Sequence, residues 1–527
     1  MRDLLRGVRA GFALARAGFF GLLQVDDLPP RAQTLFSLAQ KFEPRGLTQA
    51  DRGRRVSDAL NRLGPSYIKL GQFLATRPDI VGPEMADALS ALKDDLPPFP
   101  IEEARAIVEA SIGQPIDAVF ESFSDSVAAA SIAQVHKAVL RTPAGREVIA
   151  VKVLRPGIRR RFARDLRTFY AGARFVERNA PETRRLRPVA VVDILQRSVS
   201  LEMDLRLEAA AYSEMSENVT SETDFRLPTV NWELTGRDVL VTEWVEGKRL
   251  TNREALVAAG HDPKKIAASI VQSFLRHALR DGFFHADMHE GNLFVDDAGR
   301  LVAVDLGIMG RIGPKEQRFL AEILYGFIRR DYQRIAEVHI EAGYVPPVHS
   351  AEDFAQALRA IGEPIHGHRA SEISMAKLLS LLFEVTEIFH MQTRPELVLL
   401  QKTMVVVEGV ARRLDPEFDM WTTAEPVVRE WIDRNLGVTG RLEQAGSAIA
   451  ALSRFAGQVP ELARRAERLT RDFDEIGTRG IRLDPATVEG IGQEVARHNR
   501  SGRVALWVIA VVACATAVAA FTFSVLR

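Results

Sequence analysis

The run HADMHEGNLFV, His285 to Val295, places a carboxylate, Asp287, five positions ahead of an amide, Asn292. A second carboxylate, Asp305, follows in VDLG. Phosphoryl transfer needs such a set. A polyphosphate carries several negative charges that repel both a nucleophile and bare carboxylates, and magnesium, held by hard oxygen ligands, bridges them. The carboxylate of Asp305 and the amide oxygen of Asn292 are ligands of that kind. Asp287 then accepts a proton from an attacking hydroxyl or water, or orients it. Gly291 and Gly307 permit a tight backbone beside them.

Protein kinases use this order of Asp, Asn and Asp-x-Gly. A competing use of the same loop is a metal site on His285, Asp287 and His289, which alternate along an extended chain. His285 is equally able to brace the loop by hydrogen bonding. Upstream, Lys152 sits between valines in AVKVL on an expected strand, so it must face outward or be paired, because burying a lone ammonium is costly. Acids that could pair with it are Glu202, Asp204 and Glu208 in LEMDLRLEAA. Glu243 and Val245, in VTEWVEG, fall where a nucleotide-binding hinge is expected. The glycine-rich phosphate loop is missing. In its place VAAASIAQVH supplies Ala128, Ala129, Ala130 and Ser131, small enough for backbone approach but less permissive than glycine at positive φ.

The elements that must position these groups follow from pattern. Two β-rich runs, QVHKAVL and EVIAVKVL, flank RTPAGR and read as a hairpin. Helical patterns occupy about 50–120, broken by the loop DDLPPFP, and recur from the hairpin to about Asn218. After DVLVTEWVEG the chain is mostly helical. With 527 residues there is room for one large bilobal domain or several smaller ones. Lys+Arg and Asp+Glu number 69 each, a balance that argues against a dedicated nucleic-acid binder. Cys514 is the only cysteine, which excludes an intramolecular disulfide and a multi-thiolate zinc site.

Val504 to Leu526 is an uncharged apolar run of 23 residues, long enough to cross a bilayer as a helix. Arg497, His498, Arg500 and Arg503 precede it and only Arg527 follows, which places the large N-terminal portion on the cytoplasmic side. The basic N-terminus, with Arg2, Arg6, Arg9 and Arg16 among apolar residues, admits an amphipathic surface helix, a packed helix or a targeting segment. The expected divisions are an amphipathic region 1–50, a helical extension 51–120, an N-lobe with inserted helices 121–247, a helical C-lobe 248–435, a juxtamembrane region 436–503 and a membrane helix 504–526.

Together YIKLGQFLATRPDIV, VAAASIAQVH, AVKVLRPGI, LEMDLRLEAAAY, FFHADMHEGNLFV and VAVDLGIMG resemble the UbiB family of atypical kinase-like proteins, implicated in ubiquinone biosynthesis. The resemblance covers about residues 20 to 430. It implies an α+β, predominantly helical, bilobal kinase-like fold with an N-terminal helical extension and a C-terminal transmembrane helix. It also implies that the K-x-G-Q segment, Lys69, Gly71 and Gln72, packs over the active site and obstructs peptide substrates. Glu202 and Asp204 are then the E-x-D pair that meets it, and Glu208 the partner of Lys152. ATP and Mg2+ are the implied cofactors. Membrane lipids, quinone precursors and ubiquinone-biosynthesis proteins are the implied partners, with a homodimer possible and no nucleic acid, at a bacterial inner membrane. Glu290 departs from the family's proline, and one apolar run replaces the two membrane helices common in bacterial relatives. Alternatives are a small-molecule phosphotransferase and a nucleotide-binding pseudokinase scaffold.

Overall fold

A computed structural model describes residues 2–19, 48–75, 96–143, 145–179, 187–367 and 395–437, with isolated positions in 43–46, 81–92 and 385–391. The described residues fall in one unit, Met1–Gly437. The expected membrane helix at 504–526 and the juxtamembrane stretch from 438 lie outside them. No helix among the described residues is long and apolar enough to cross a membrane.

Alternation builds the small lobe. Strands β1 (Phe120–Ala129), β2 (Ala133–Thr142) and β3 (Gly145–Leu154) form an antiparallel sheet; after β4 (Phe225–Arg226), strand β5 (Val239–Glu243) adds to β3. The β2–β3 register runs from Ala133↔Leu154 to Thr142↔Gly145, with the turn at the predicted Pro143–Gly145 connection. Successive side chains on a strand point to opposite faces. Ile149, Val151 and Val153 therefore pack into one apolar cluster with Val239, Val241 and, from the helix Ile101–Ile112, Ala104 and Val108. Ala150 and Lys152 face the other way, Lys152 across from Val135 and Leu240 and Ala150 across from Lys137 and Thr242.

The pattern missed β1. Its sequence, FESFSDSVAA, lacks an apolar alternation because it is an edge strand with register shifts, its pairing irregular from Phe120 to Ala128. Val127 to Ala129, expected in a loop, are the end of that strand.

Among the described residues, two helices carry the first part of the extension. Gln49–Leu63 starts at a capping box, the Thr48 hydroxyl accepting from Asp51 N–H and the Asp51 carboxylate from Thr48 N–H. Pro65–Ala75 carries Lys69 and Gln72. Gly71 is required there by close packing: a Cβ would lie 2.4 Å from Leu92 Cδ1 and 2.9 Å from Leu60 Cδ1. The N-terminal helix Arg2–Ala17 buries Ala10 and Ala17 in the same cluster as Val56 and Leu60, a packed helix.

The large lobe is helical around Pro263–Arg276, whose Ile270, Val271 and Phe274 are fully buried. It is less uniformly helical than expected. Strands β6 (Lys248–Arg249), β7 (Phe283–His285), β8 (Leu293–Val295), β9 (Leu301–Ala303) and β10 (Met309–Arg311) give a sheet of order β4-β9-β8-β6 and a β7–β10 pair. These runs of two or three residues are too short to show a period of two, yet they hold both ends of the loop that carries Asp287 and Asn292.

Candidate functional site

Lys152 leaves β3 toward the large lobe and meets two carboxylates. Its Nζ donates to Glu208 Oε1 and Oε2 at 2.9 and 3.0 Å and to Asp305 Oδ1 at 2.8 Å. Glu208 is brought there by the helix Leu205–Asn218, whose first turn is capped by the Asp204 carboxylate accepting from Arg206 N–H. Tyr212, one turn beyond Glu208 on the same face, accepts the N–H of Asp305 at 2.8 Å through its phenol oxygen. Asp305 itself adopts φ 60, the left-handed region that non-glycine residues seldom occupy.

Charge follows from this geometry. Burial pushes the Glu208 carboxyl up to about 7, against the pull of Lys152. At Asp305 desolvation acts in the same direction, but the Lys152 ammonium overrides it and holds the carboxyl well below the usual range. Burial works against the charge of Lys152, and the two carboxylates more than offset it, keeping the ammonium protonated beyond the ordinary lysine range.

The loop between β7 and β8 is braced from within. His285 is fully buried; its Nδ1 accepts from Asp287 N–H at 3.1 Å while Nε2 donates to the Val304 carbonyl at 3.3 Å. That assignment is a neutral imidazole, in keeping with burial lowering its pKa. With both nitrogens turned to backbone partners, His285 braces the loop, which favours that role over the histidine-metal alternative. Groups of three potential His, Cys, Asp or Glu ligands are absent among the described residues. His289 also braces, its Nδ1 accepting from Gly291 N–H at 3.0 Å. Asn292 donates its amide N–H to the Asp287 carbonyl at 3.1 Å, which turns the amide oxygen away from that bond.

A cleft of about 500 Å³ lies between the lobes, within the range of small-ligand sites. Lys152, Glu208, Tyr212, Asn292 and Asp305 line one end. Glu243, Trp244 and Val245 line another, with Ala150 and Leu240 supplying apolar wall.

The ABC1 atypical kinase-like domain family matches residues 91–339, and the UbiB helical domain family matches 358–419. A protein of Marinobacter nauticus described as "Probable protein kinase UbiB" is 38% identical over 472 residues, 88% of this chain and 85% of its own. Another so described, from Azotobacter vinelandii, is 37% identical, covering 84% of this chain and 81% of its own. The chain belongs to the UbiB family. A solved structure of Rv3197 with erythromycin, from Mycobacterium tuberculosis, is similar over 75% of this chain and 98% of its own. Its TM-score of 0.48 and 23% identity are too low to carry a conclusion.

Within this UbiB chain the expected site residues divide. Lys152, Glu208, Asn292, Asp305, Glu243, Val245 and Ala128 border one cleft. Asp287 does not line it; its carboxylate is 40% exposed, with Oδ2 3.8 Å from His289 Nε2. Ala129, Ala130 and Ser131 do not line it either. Ala130 N–H donates to Ala133 O at 2.8 Å, closing a tight turn, and Ser131 is fully buried within it. The Glu243 carboxylate turns to Arg226, at 3.0 and 3.2 Å, and its backbone N–H donates to Thr229 O at 2.8 Å, so neither is left as a hinge group. Lys69 meets Glu202 at 2.7 Å, and Gln72 lies half-buried on the same helix. Asp204 does not share that contact. It caps its helix and pairs with Arg206 at 2.7 Å, because the chain turns between Glu202 and Leu205 and sends the two acids apart.

Two neighbours were missed. Tyr212 had a signal, its four-residue spacing from Glu208 on a helix. Arg155 had none: its guanidinium donates to Ala130 O at 2.9 Å and to Pro97 O at 2.9 Å, joining segments far apart in sequence.

Proposed function

We propose that this UbiB family member is a membrane-associated atypical kinase or ATPase that binds Mg-ATP in the interlobe cleft and supports ubiquinone biosynthesis, acting on or near membrane lipid precursors. The observation that supports this most is the bridging of Glu208 and Asp305 by Lys152 at one end of a cleft of nucleotide size. An ammonium fixed by one carboxylate can turn to a phosphate without losing its position, since Glu208 holds it from behind.

The donor set fits magnesium. Asp305 and the Asn292 amide supply hard oxygens on the same wall, and magnesium needs only one or two protein carboxylates when phosphates complete its shell. Bound there, the ion would neutralise phosphate charge. The chain's own residues do the rest. The backbone of Glu243 to Val245 borders the base end of the cleft, Ala150 and Leu240 exclude water from its walls, and Asp287, fixed by His285, orients a hydroxyl or water. Quinone precursors and ubiquinone-biosynthesis proteins are the partners this reading names, at a bacterial inner membrane, with a homodimer as a further possibility.

Magnesium-dependent ATP turnover by the full chain, with and without liposomes, tests the reading. Turnover lost in Asp305→Asn and raised by lipid supports it. Turnover indifferent to Asp305→Asn sinks it. Full complementation of a quinone-deficient strain by Asp287→Ala/Asp305→Ala would favour a scaffold, and a phosphorylated small metabolite would favour a small-molecule phosphotransferase.

A further inference from the structure

The helix Pro395–Leu414 lies within the segment matched by the UbiB helical domain, outside the kinase-like match that contains the Asp287–Asn292 loop. It touches that loop at two points, Ala286 and Glu290. The Thr403 hydroxyl, fully buried, is shared between its own helix at Leu399 O, 2.8 Å, and Ala286 O, 3.1 Å. Ten residues on, Arg413 Nε donates to Glu290 Oε2 at 2.7 Å. The helix end is itself anchored, since Arg253 Nε donates to the Leu414 carbonyl at 3.1 Å. Ala286 and Glu290 bracket Asp287, Met288 and His289, so two fixed points on one rigid helix span the residue assigned to orient the nucleophile.

Glu290 stands where the resemblance led us to expect proline. Proline restricts its own φ and the conformation of the residue before it. Glutamate does neither, and without a partner it would leave the loop freer. Here the missing covalent restraint is replaced by an ion pair to a helix of the other domain.

We propose that Arg413 and Thr403 are positioning residues, and that the helical domain holds the Asp287 loop in place through them, Arg413 taking over the restraint that proline would supply at position 290. The proposal rests on reading the cleft as a nucleotide site. Its consequence is regulatory: whatever shifts the helix Pro395–Leu414 shifts Asp287, with the cleft at Lys152 left intact.

The test uses the full chain and two readouts. Hydrogen exchange of the 285–292 backbone, without nucleotide, should quicken in Arg413→Ala and in Thr403→Val while the β3 peptide around Lys152 stays unchanged. ATP turnover should fall about threefold in Arg413→Ala with KM for ATP nearly constant, the scale of one partly exposed ion pair. Glu290→Pro should restore both exchange and turnover in the Arg413→Ala background. Unchanged exchange in Arg413→Ala, or a double variant Glu290→Pro/Arg413→Ala no better than Arg413→Ala, overturns the proposal. Exchange reads the tether whether or not the chain turns over ATP, so a wild-type chain without turnover counts against the proposed function alone.

Discussion

Lys69 Nζ lies 2.7 Å from Glu202 Oε2, with the two side chains only 8% and 14% exposed, so the extension is joined to the small lobe by a nearly buried ion pair. Lys69 is also one of the cations that hold the Asp305 carboxyl down, which places the extension within electrostatic reach of the cleft. Removing one member of a buried pair leaves the other charge without compensation, at a cost of about 3–5 kcal/mol, whereas replacing both by apolar residues of similar volume is often neutral. Lys69→Met, which leaves the Glu202 carboxylate without its ammonium, should lower the denaturant midpoint markedly, and Lys69→Met/Glu202→Leu should recover part of the loss. A single variant within about 0.5 kcal/mol of the wild type would show that water screens the pair.

A pH dependence of stability should come from His339. Its ring is buried against Phe354 and Tyr344, its Nδ1–H donates to Ile335 O at 2.8 Å, and burial pushes its pKa down from 6.5 to about 4. The folded chain therefore binds fewer protons than the unfolded chain between those values. The sign follows: the contribution of the neutral ring is complete above about 6.5, declines as pH falls toward 4, and changes no further below it. The full effect is on the order of 3 kcal/mol at most. Chemical denaturation of the wild type and His339→Gln at pH 7 and pH 4.5 checks this. The stability difference between the two should shrink at the lower pH; a difference that does not move with pH refutes the burial argument.

What the sequence disclosed depended on how local the signal was. Asp287 and Asn292 are five residues apart, and the bond from the Asn292 side-chain amide to the Asp287 carbonyl is a property of one short loop, so spacing alone located the pair. The β2–β3 hairpin was equally local, its alternation and Gly145 turn visible together. Lys152 and Glu208 are 56 residues apart; physics required only that the lysine face outward or be paired, and the family resemblance chose the partner. Where a residue's task is to join remote segments, pattern was silent. The family resemblance grouped Asp204 with Glu202 as an E-x-D pair, yet the turn into Leu205–Asn218 gives Asp204 a capping task instead. The polar edge strand β1 hid for a similar reason: its partners, not its own residues, make it a strand.

Arg155 shows what such a join does. Its guanidinium bonds Ala130 O in the small-residue turn at 2.9 Å, Pro97 O at 2.9 Å and Leu96 O at 3.3 Å, while Phe99 lies beneath it at 5.7 Å. Gln134 seals the same seam, its amide accepting from Phe99 N–H at 2.9 Å and donating to Phe99 O at 3.2 Å. The proline-rich strap and the turn beside the cleft are thus one unit, and Ala128, at the turn's edge, lines the cleft wall. A lysine carries the charge but not the planar fork that reaches carbonyls on both segments. Arg155→Lys and Arg155→Ala should both weaken ATP affinity, by about tenfold for the alanine variant, the scale of lost charged hydrogen bonds. Cleavage in the strap by a trace protease should quicken alongside. Titration of each variant with a fluorescent ATP analogue measures the first effect. Undiminished affinity in both, with the strap cut faster, would show that the strap can open without disturbing the nucleotide wall and that the two are mechanically separate.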